Sequence, residues 1–303
     1  MSERTSMSRR DLVRRGAVTG GLLLAPGLLG ACSRSEVGTG ADTEGGTLQK
    51  LKDQGYVTVG FANEAPYAYK EGGELKGEAP AVHGEIFKQL GIGEIRSKLT
   101  GFDSLIPGLN ADRFDVVTAG MFVTPERCQQ ALFSEPEYCA PGAFLVPQGN
   151  PDGLTDYKSV ADKGVKVGVM TGAVEQGYAE GNGVESGNIT VLPDPQSGFE
   201  ALTAGRIDAF ALTTISLRQL LETNEGAKVE LTEPFTPVVD GKEQLGCGAA
   251  VFRKGDQPLV DAFNTELAKL KDSGKLLELI KPYGFTEAEL PEDDVTTKML
   301  CGG

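Results

Sequence analysis

Two heptapeptides 93 residues apart carry one pattern: Leu109-Asn-Ala111-Asp-Arg113-Phe-Asp115 and Leu202-Thr-Ala204-Gly-Arg206-Ile-Asp208 both read L-x-A-x-R-[FI]-D. Each copy runs from an expected helix end into an apolar stretch, over 114–119 and 207–212. The surrounding periodicity extends the parallel. Before the first copy lie a buried strand over 56–61, a helix core over 84–90 ended by Gly91, and a helix over 103–111. Before the second lie a strand over 166–170, a helix opening after Thr171-Gly172, a strand over 189–192 and a helix ending near Gly205. Strands alternating with helices imply βαβ units and parallel pairing, so the chain is α/β with two similar lobes. Small ligands bind at the carboxyl ends of such strands and between domains.

The N-terminus reads as a targeting segment rather than as structure. Arg9-Arg10 forms a twin-arginine pattern, an apolar run over 16–29 follows, and Leu29-Gly30-Ala31-Cys32 has the form of a lipobox. The run is short of the about 20 residues that span a bilayer. Residues 1–31 are therefore expected to be a Tat-type lipoprotein signal peptide, Cys32 the lipidated residue, and 32–48 a Ser/Gly/Thr-rich tether. The expected location is outside the cell membrane, held there by lipid.

Without the signal the chain has 24 basic and 41 acidic residues. That charge repels nucleic acid, and no basic stretch interleaved with aromatics suggests a groove for it. Four further cysteines, Cys128, Cys139, Cys247 and Cys301, suit two disulfides in an exported protein, with three connectivities open. A zinc site is the weaker reading, because no CxxC spacing occurs and the single histidine, His83, stands alone. His83 is expected at the surface and no metal or cofactor is expected. In Thr124-Pro125-Glu126-Arg127 the Thr suits an N-cap and the Pro the first helical position.

Several segments together resemble one family. Tyr56-Val-Thr-Val-Gly60, Leu105-Ile-Pro-Gly-Leu109, Ala119-Gly-Met-Phe-Val-Thr-Pro-Glu-Arg127, Phe133-Ser-Glu-Pro136, Val167-Gly-Val-Met-Thr-Gly172 and Arg206-Ile-Asp208 are similar, in order, to the polar amino-acid-binding proteins of ABC importers. The resemblance implies the two-lobed type-II periplasmic solute-binding fold. Residues 49–146 with 245–303 would form lobe 1 and 147–244 lobe 2, with crossing strands near 142–147 and 246–252 as the hinge. It also implies partners: a small solute, a membrane permease and its ATPase subunits.

In that family the residue matching Arg127 grips the ligand carboxylate, a task suited to a planar, permanently charged fork. Thr171, Gly172 and Ala173 match positions that hold the same carboxylate from the other lobe, with backbone N–H groups at a helix start. The sequence then departs from the pattern. The family's Asp for the α-ammonium group is missing from Ala211-Leu212-Thr213-Thr214, where Thr213 remains as a neutral candidate contact. Instead Glu64 stands in Phe61-Ala-Asn-Glu64-Ala-Pro66-Tyr67, and Tyr67, Phe102 and Phe122 occupy ligand-facing positions.

A carboxylate and aromatic faces opposite an arginine suit a compact zwitterion with a delocalised cation. These segments, with Gly77-Glu78-Ala79-Pro80, resemble the ectoine/hydroxyectoine-binding proteins of ABC importers. Alternatives are binding of glutamine, arginine or a betaine, or an enzyme on the same fold such as a cyclohexadienyl dehydratase. An ammonium partner in the second lobe would favour an amino acid. Acid–base chemistry would need a positioned proton donor or acceptor, and no triad, metal cluster or pocket histidine is evident.

Overall fold

The computed structural model describes residues 46–303. The expected signal over 1–31, the lipidation site Cys32 and most of the tether lie outside the described residues.

The repeated heptapeptide builds the same joint twice. Asp115 N–H donates to the Thr58 carbonyl at 2.7 Å while its carboxylate accepts from Thr58 N–H at 2.9 Å. Asp208 does the same with Lys166, at 2.8 Å in both directions. In each lobe the Asp thus locks the start of one strand to the start of its parallel neighbour. Arg113 N–H and Arg206 N–H each close the preceding helix, on Gly108 and Ala201. Phe114 and Ile207 are buried between them, over glycines of the neighbouring strands. A Cβ on Gly60 would lie 2.5 Å from the Phe114 ring, and one on Gly168 would lie 2.5 Å from Ile207. Burying such a side chain stabilises by about 1.5–3 kcal/mol.

The first sheet runs Glu94–Leu99, Tyr56–Phe61, Val116–Phe122, Cys247–Phe252 and Leu132–Phe133, and Tyr138–Cys139 also pairs with Cys247–Phe252. The second runs Ile189–Leu192, Val167–Met170, Ala209–Thr213, Gly142–Pro147 and Val229–Leu231. In each sheet three parallel strands are followed by an antiparallel strand that has just arrived from the other lobe: Cys247–Phe252 in the first, Gly142–Pro147 in the second. Pairing with Cys247–Phe252 extends the strand expected over 114–119 as far as Phe122, at the cleft. The C-terminal helices Gln257–Asp272 and Lys275–Ile280 return to the first lobe's core, where Phe263, Leu267 and Ile280 pack with Val57, Ile86 and Phe87.

All four described cysteines form disulfides, Cys128–Cys301 and Cys139–Cys247. The second lies where the chain crosses between the lobes, beside Ala140-Pro141 and Gly246. Among the described residues no group of three or more His, Cys, Asp or Glu side chains is placed to hold a metal ion, and no helix is long and apolar enough to cross a membrane.

His83 is not a surface residue. It is 1% exposed, on the inner face of the helix Glu78–Gln89 with Ala79, Val82, Ile86 and Phe87. Its Nε2 lies 2.9 Å from the Glu137 carboxylate and its Nδ1 lies 2.8 Å from the Thr118 hydroxyl. At the start of the same helix Glu78 is fully buried, and neither of its carboxylate oxygens finds a hydrogen-bond donor. Burial, reinforced by the Glu137 charge and by the hydrogen bond that a protonated Glu78 donates to it, holds the Glu78 pKa well above the usual carboxylate range. An acid whose folded-state pKa is raised favours the fold at low pH, and that advantage is lost as pH rises. Glu78→Gln is therefore expected to stabilise the protein at pH 8 by roughly 1–3 kcal/mol, the cost of a buried unpartnered polar group. The gain should shrink toward pH 4. Denaturant melts of both chains across that range measure it, and equal stability at every pH would refute the assignment.

Candidate functional site

The candidate residues converge because they sit at the carboxyl ends of parallel strands, the usual ligand position in such sheets. Glu64 and Tyr67 follow Tyr56–Phe61, and Phe102 follows Glu94–Leu99. Phe122 closes Val116–Phe122, and Arg127 stands on the next turn, Pro125–Cys128, whose start is capped by the Thr124 side chain. From the second lobe, Ala173 follows Val167–Met170 and Thr213 ends Ala209–Thr213. These seven residues line one cleft of about 320 Å³, counting its open mouth.

Three side-chain hydrogen bonds cross between the lobes here. Ser216 Oγ donates to Glu64 Oε1 at 2.8 Å, the Tyr67 hydroxyl donates to Thr213 Oγ1 at 2.8 Å, and Arg127 Nη2 donates to the Gly172 carbonyl at 3.0 Å. Arg127 Nη1 also donates to the Phe122 carbonyl at 2.8 Å, and its guanidinium carbon lies 5.4 Å from the Phe102 ring centre. Gly172 has φ of 75°, and a Cβ there would lie 2.8 Å from Asp103 Cα on the opposite lobe.

The expectation of free N–H groups at Thr171 and Ala173 is corrected. Thr171 spends its N–H and its hydroxyl on the Leu192 carbonyl, and Ala173 N–H donates to Met170. The helix begins only at Glu175, since Thr171 to Val174 are used in turning away from the strand. Thr171 and Gly172 lie beside the cleft lining, and Gly172 meets Arg127 through its carbonyl.

Several lining residues escaped the sequence reading. Tyr138 stacks on Tyr67 with ring centres 5.1 Å apart and donates to the Gly120 carbonyl at 2.7 Å. Met170, Val174 and Leu212 add apolar wall. Glu175 matters most, as a second acid in the cleft, 7% exposed and with Oε2 unpartnered. Its signal lay in the sequence. Glu175 shares a helix face with Tyr178 and Ala179, three and four residues on, so an acid stands among residues that pack inward.

The cleft's charges are poorly solvated. Burial pushes Glu64 up to about 7, opposed by the Ser216 hydrogen bond and assisted by the Glu175 charge. Burial likewise pushes Glu175 up to about 7, opposed by its own backbone hydrogen bond and by Arg127. Arg127 is lowered by burial, with Glu175 acting against that shift. Among the described residues no carboxylate lies within ion-pair distance of Arg127. The arrangement can hold a carboxylate at one end and a cation at the other.

The family model of bacterial extracellular solute-binding proteins, family 3, matches residues 57–287. The chain belongs to this family. A probable amino-acid ABC transporter periplasmic-binding protein of Sinorhizobium fredii is 38% identical over 264 residues, covering 84% of this chain and 86% of the relative. A solved structure of EhuB in complex with hydroxyectoine is similar at 40% identity and a TM-score of 0.76, covering 84% of this chain and 97% of that one. An ancestral arginine-binding protein bound to arginine is similar at 26% identity and a TM-score of 0.67, covering 76% and 98%. The protein is thus the extracytoplasmic solute-binding component of an ABC importer of the amino-acid type, with the two-lobed fold. Its family and the relatives named here are solute-binding proteins rather than enzymes.

Glycine at position 120 makes room for the cleft's aromatic wall. Its φ is 60°, and a Cβ would lie 2.5 Å from the Tyr67 ring, whereas Gly91, at φ of 84°, faces open space. Gly91→Ala is expected to show backbone strain alone, about 1–2 kcal/mol. Gly120→Ala should lose a further 1–3 kcal/mol or so from overpacking against Tyr67. Thermal melts of the two variants measure the difference, and equal losses would show that Tyr67 is not pinned over Gly120.

Proposed function

We propose that this solute-binding protein captures ectoine or hydroxyectoine between its lobes and delivers it to a membrane permease driven by ATPase subunits. The observation that carries the reading is the meeting of Arg127 and Glu64 in one small cleft with Tyr67, Phe102 and Phe122. Ectoine offers a carboxylate for Arg127 and a ring amidinium for Glu64, and its cation would lie against aromatic faces. The similar structure of EhuB with hydroxyectoine supports the same solute class. Thr213 and Ala173 would close the cleft from the second lobe, with Thr171 and Gly172 behind them.

Glu175 favours a second reading. It is an acid in the second lobe, where an α-ammonium group could pair with it, and the cleft then balances a cationic amino acid such as arginine. Glu64 among Tyr67, Phe102 and Phe122 at the first lobe's side of the cleft supports the ring cation of ectoine over this longer solute.

The export reading completes the proposal. Tat-type export and lipidation at Cys32 would hold the protein by 32–48 outside the membrane, and Cys32→Ala should be exported but found unanchored on fractionation. Lobe 1 would span 49–146 with 245–303, and lobe 2 147–244, hinged at the crossing segments.

Calorimetry with ectoine, hydroxyectoine, arginine, glutamine and glycine betaine tests the solute. Arg127→Ala is expected to cost about 3–5 kcal/mol of ectoine binding, because it leaves a buried carboxylate without its partner. Glu64→Gln should cost nearly as much, and Phe122→Ala about 1–2 kcal/mol plus packing. The same measurements fix the pH dependence. The amidinium needs Glu64 ionised, so affinity should fall roughly tenfold between pH 8 and pH 6 as a group near 7 takes up its proton. Glu64→Gln should bind weakly and with a flatter profile. Ectoine binding that survives Glu64→Gln within about twofold, or tight arginine binding with none of ectoine, would sink the ectoine reading.

A further inference from the structure

Resting on the reading of Arg127 as the grip for the solute's carboxylate, we propose that the Cys128–Cys301 disulfide and the C-terminal segment 297–303 are positioning elements of the binding site, holding the turn from which Arg127 reaches the cleft. They act on the solute through Arg127 alone.

The turn has little else to hold it. Pro125–Cys128 is a single helical turn, and a helix so short is not stable by its own hydrogen bonds. Every residue over 124–130 is exposed or half-buried, so no side chain of the turn is sunk in the core. The Thr124 cap and the backbone bonds from Cys128 to Thr124 and from Ala131 to Arg127 are internal. They shape the turn without fixing it to the lobe. Its polar ties to the rest of the first lobe are few: Arg127 on the Phe122 carbonyl, and two exposed bonds, Lys254 Nζ to the Cys128 carbonyl at 2.7 Å and Asn110 Nδ2 to the Gln130 carbonyl at 3.2 Å. The covalent bond at Cys128 is the stiffest tie.

Its other end is well seated. The tail turn Thr297–Leu300 is capped by Thr296, and Thr297 N–H donates to the Glu135 carboxylate at 3.0 Å while its hydroxyl donates to the Ser134 carbonyl. Ser134 is fully buried and exchanges hydrogen bonds with Ala250 of the first sheet, at 3.0 Å in both directions. Leu300, Cys301 and Cys128 pack against the apolar cluster of Leu109, Val123, Ala131 and Phe133. A Cβ on Gly302 would lie 3.7 Å from the Pro125 ring. The disulfide thus carries the sheet's rigidity to the residue beside Arg127. Fixing a binding group in advance lowers the entropy lost when the solute arrives. A cross-link also stabilises a fold by restricting the unfolded chain, but that effect alone would leave solute affinity unchanged.

The test changes both cysteines in the full-length chain, Cys128→Ser with Cys301→Ser, so that neither leaves a stray thiol. Ectoine is titrated by calorimetry into the parent, this variant, Arg127→Ala and the triple variant, each well below its melting temperature. The cysteine variant is expected to bind about tenfold more weakly (about 1.4 kcal/mol). The same two changes added to Arg127→Ala should alter affinity by less than about twofold, because a support that acts through one residue is not additive with that residue's removal. Amide hydrogen exchange should quicken over 124–131 and stay unchanged in the strands over 56–61 and 167–170. Equal losses in both backgrounds, or parent affinity and parent exchange in the cysteine variant, would overturn the proposal. If the parent binds no ectoine, the solute reading falls, and exchange over 124–131 alone decides whether the turn is braced. If the cysteine variant fails to fold, Thr297→Val takes its place, since it keeps the disulfide and frees the tail from Ser134. Parent affinity and exchange in that variant count against the proposal.

Discussion

A cation taken out of water organises this protein. Arg127 is partly buried in the cleft, where desolvation lowers its pKa, and the described structure gives it two backbone carbonyls and an aromatic face in place of a carboxylate partner. Buried charge without a partner is expensive, far more so than a buried neutral donor. The two acids that share the cleft feel the same shortage of water, and both sit near neutrality instead of far below it. Such a site discriminates by charge pattern before it discriminates by shape. An apolar molecule offers nothing to Arg127, and a simple anion leaves Glu64 and Glu175 unmatched.

Holding these charges in place requires stiff supports on both sides. The supports are the paired joints at Asp115 and Asp208, where one carboxylate and one N–H fix the register of two parallel strands. Register matters here because the ligand-facing residues leave the opposite, carboxyl ends of the same strands. A one-residue slip in a strand would turn its side chains to the other face, and Phe122 at the end of Val116–Phe122 would leave the cleft. The antiparallel strands add a second constraint. Each comes from the other lobe, so the two crossing segments both belong to the sheets they connect, and Cys139–Cys247 ties them where they meet.

Much of this was legible in the sequence, for reasons that can be named. The repeated L-x-A-x-R-[FI]-D is visible because its Asp, its buried apolar residue and its helix-closing turn each need a particular residue type. Thr124-Pro125 is visible because caps are local. In the second lobe the strands over 166–170, 189–192 and 207–212 and the helix ending near Gly205 follow from periodicity. A helix start is placed two residues early, where a turn after Gly172 resembles a helix opening, and the helices Tyr157–Lys163 and Thr214–Thr223 were not read. Glu64, Tyr67, Phe102, Phe122, Arg127, Ala173 and Thr213, named from the sequence, line one cleft. What could not be read was long-range. His83 looked like a lone surface histidine because its partners, Thr118 and Glu137, are 35 and 54 residues away. Ser216 could not be matched to Glu64 across 152 residues. Cysteine pairing across 173 and 108 residues left three connectivities open for the same reason.

The groups that bridge the lobes are also the groups that face the solute, which raises the question of whether closure and binding compete. Counting hydrogen-bond capacity shows that they do not. A guanidinium has five N–H donors, and Arg127 uses one toward Phe122 and one toward Gly172. A carboxylate has about four lone-pair sites, and Glu64 gives one to Ser216. Thr213 accepts from Tyr67 and from Ser216 N–H, and keeps its own hydroxyl hydrogen. Every bridging group therefore retains capacity after the lobes meet. The bridging contacts orient what remains, since an Arg127 fork fixed by two carbonyls can present its other donors in few directions. Closure then costs the solute no partners, and the entropy of fixing the cleft side chains is offset partly by contacts between the lobes themselves.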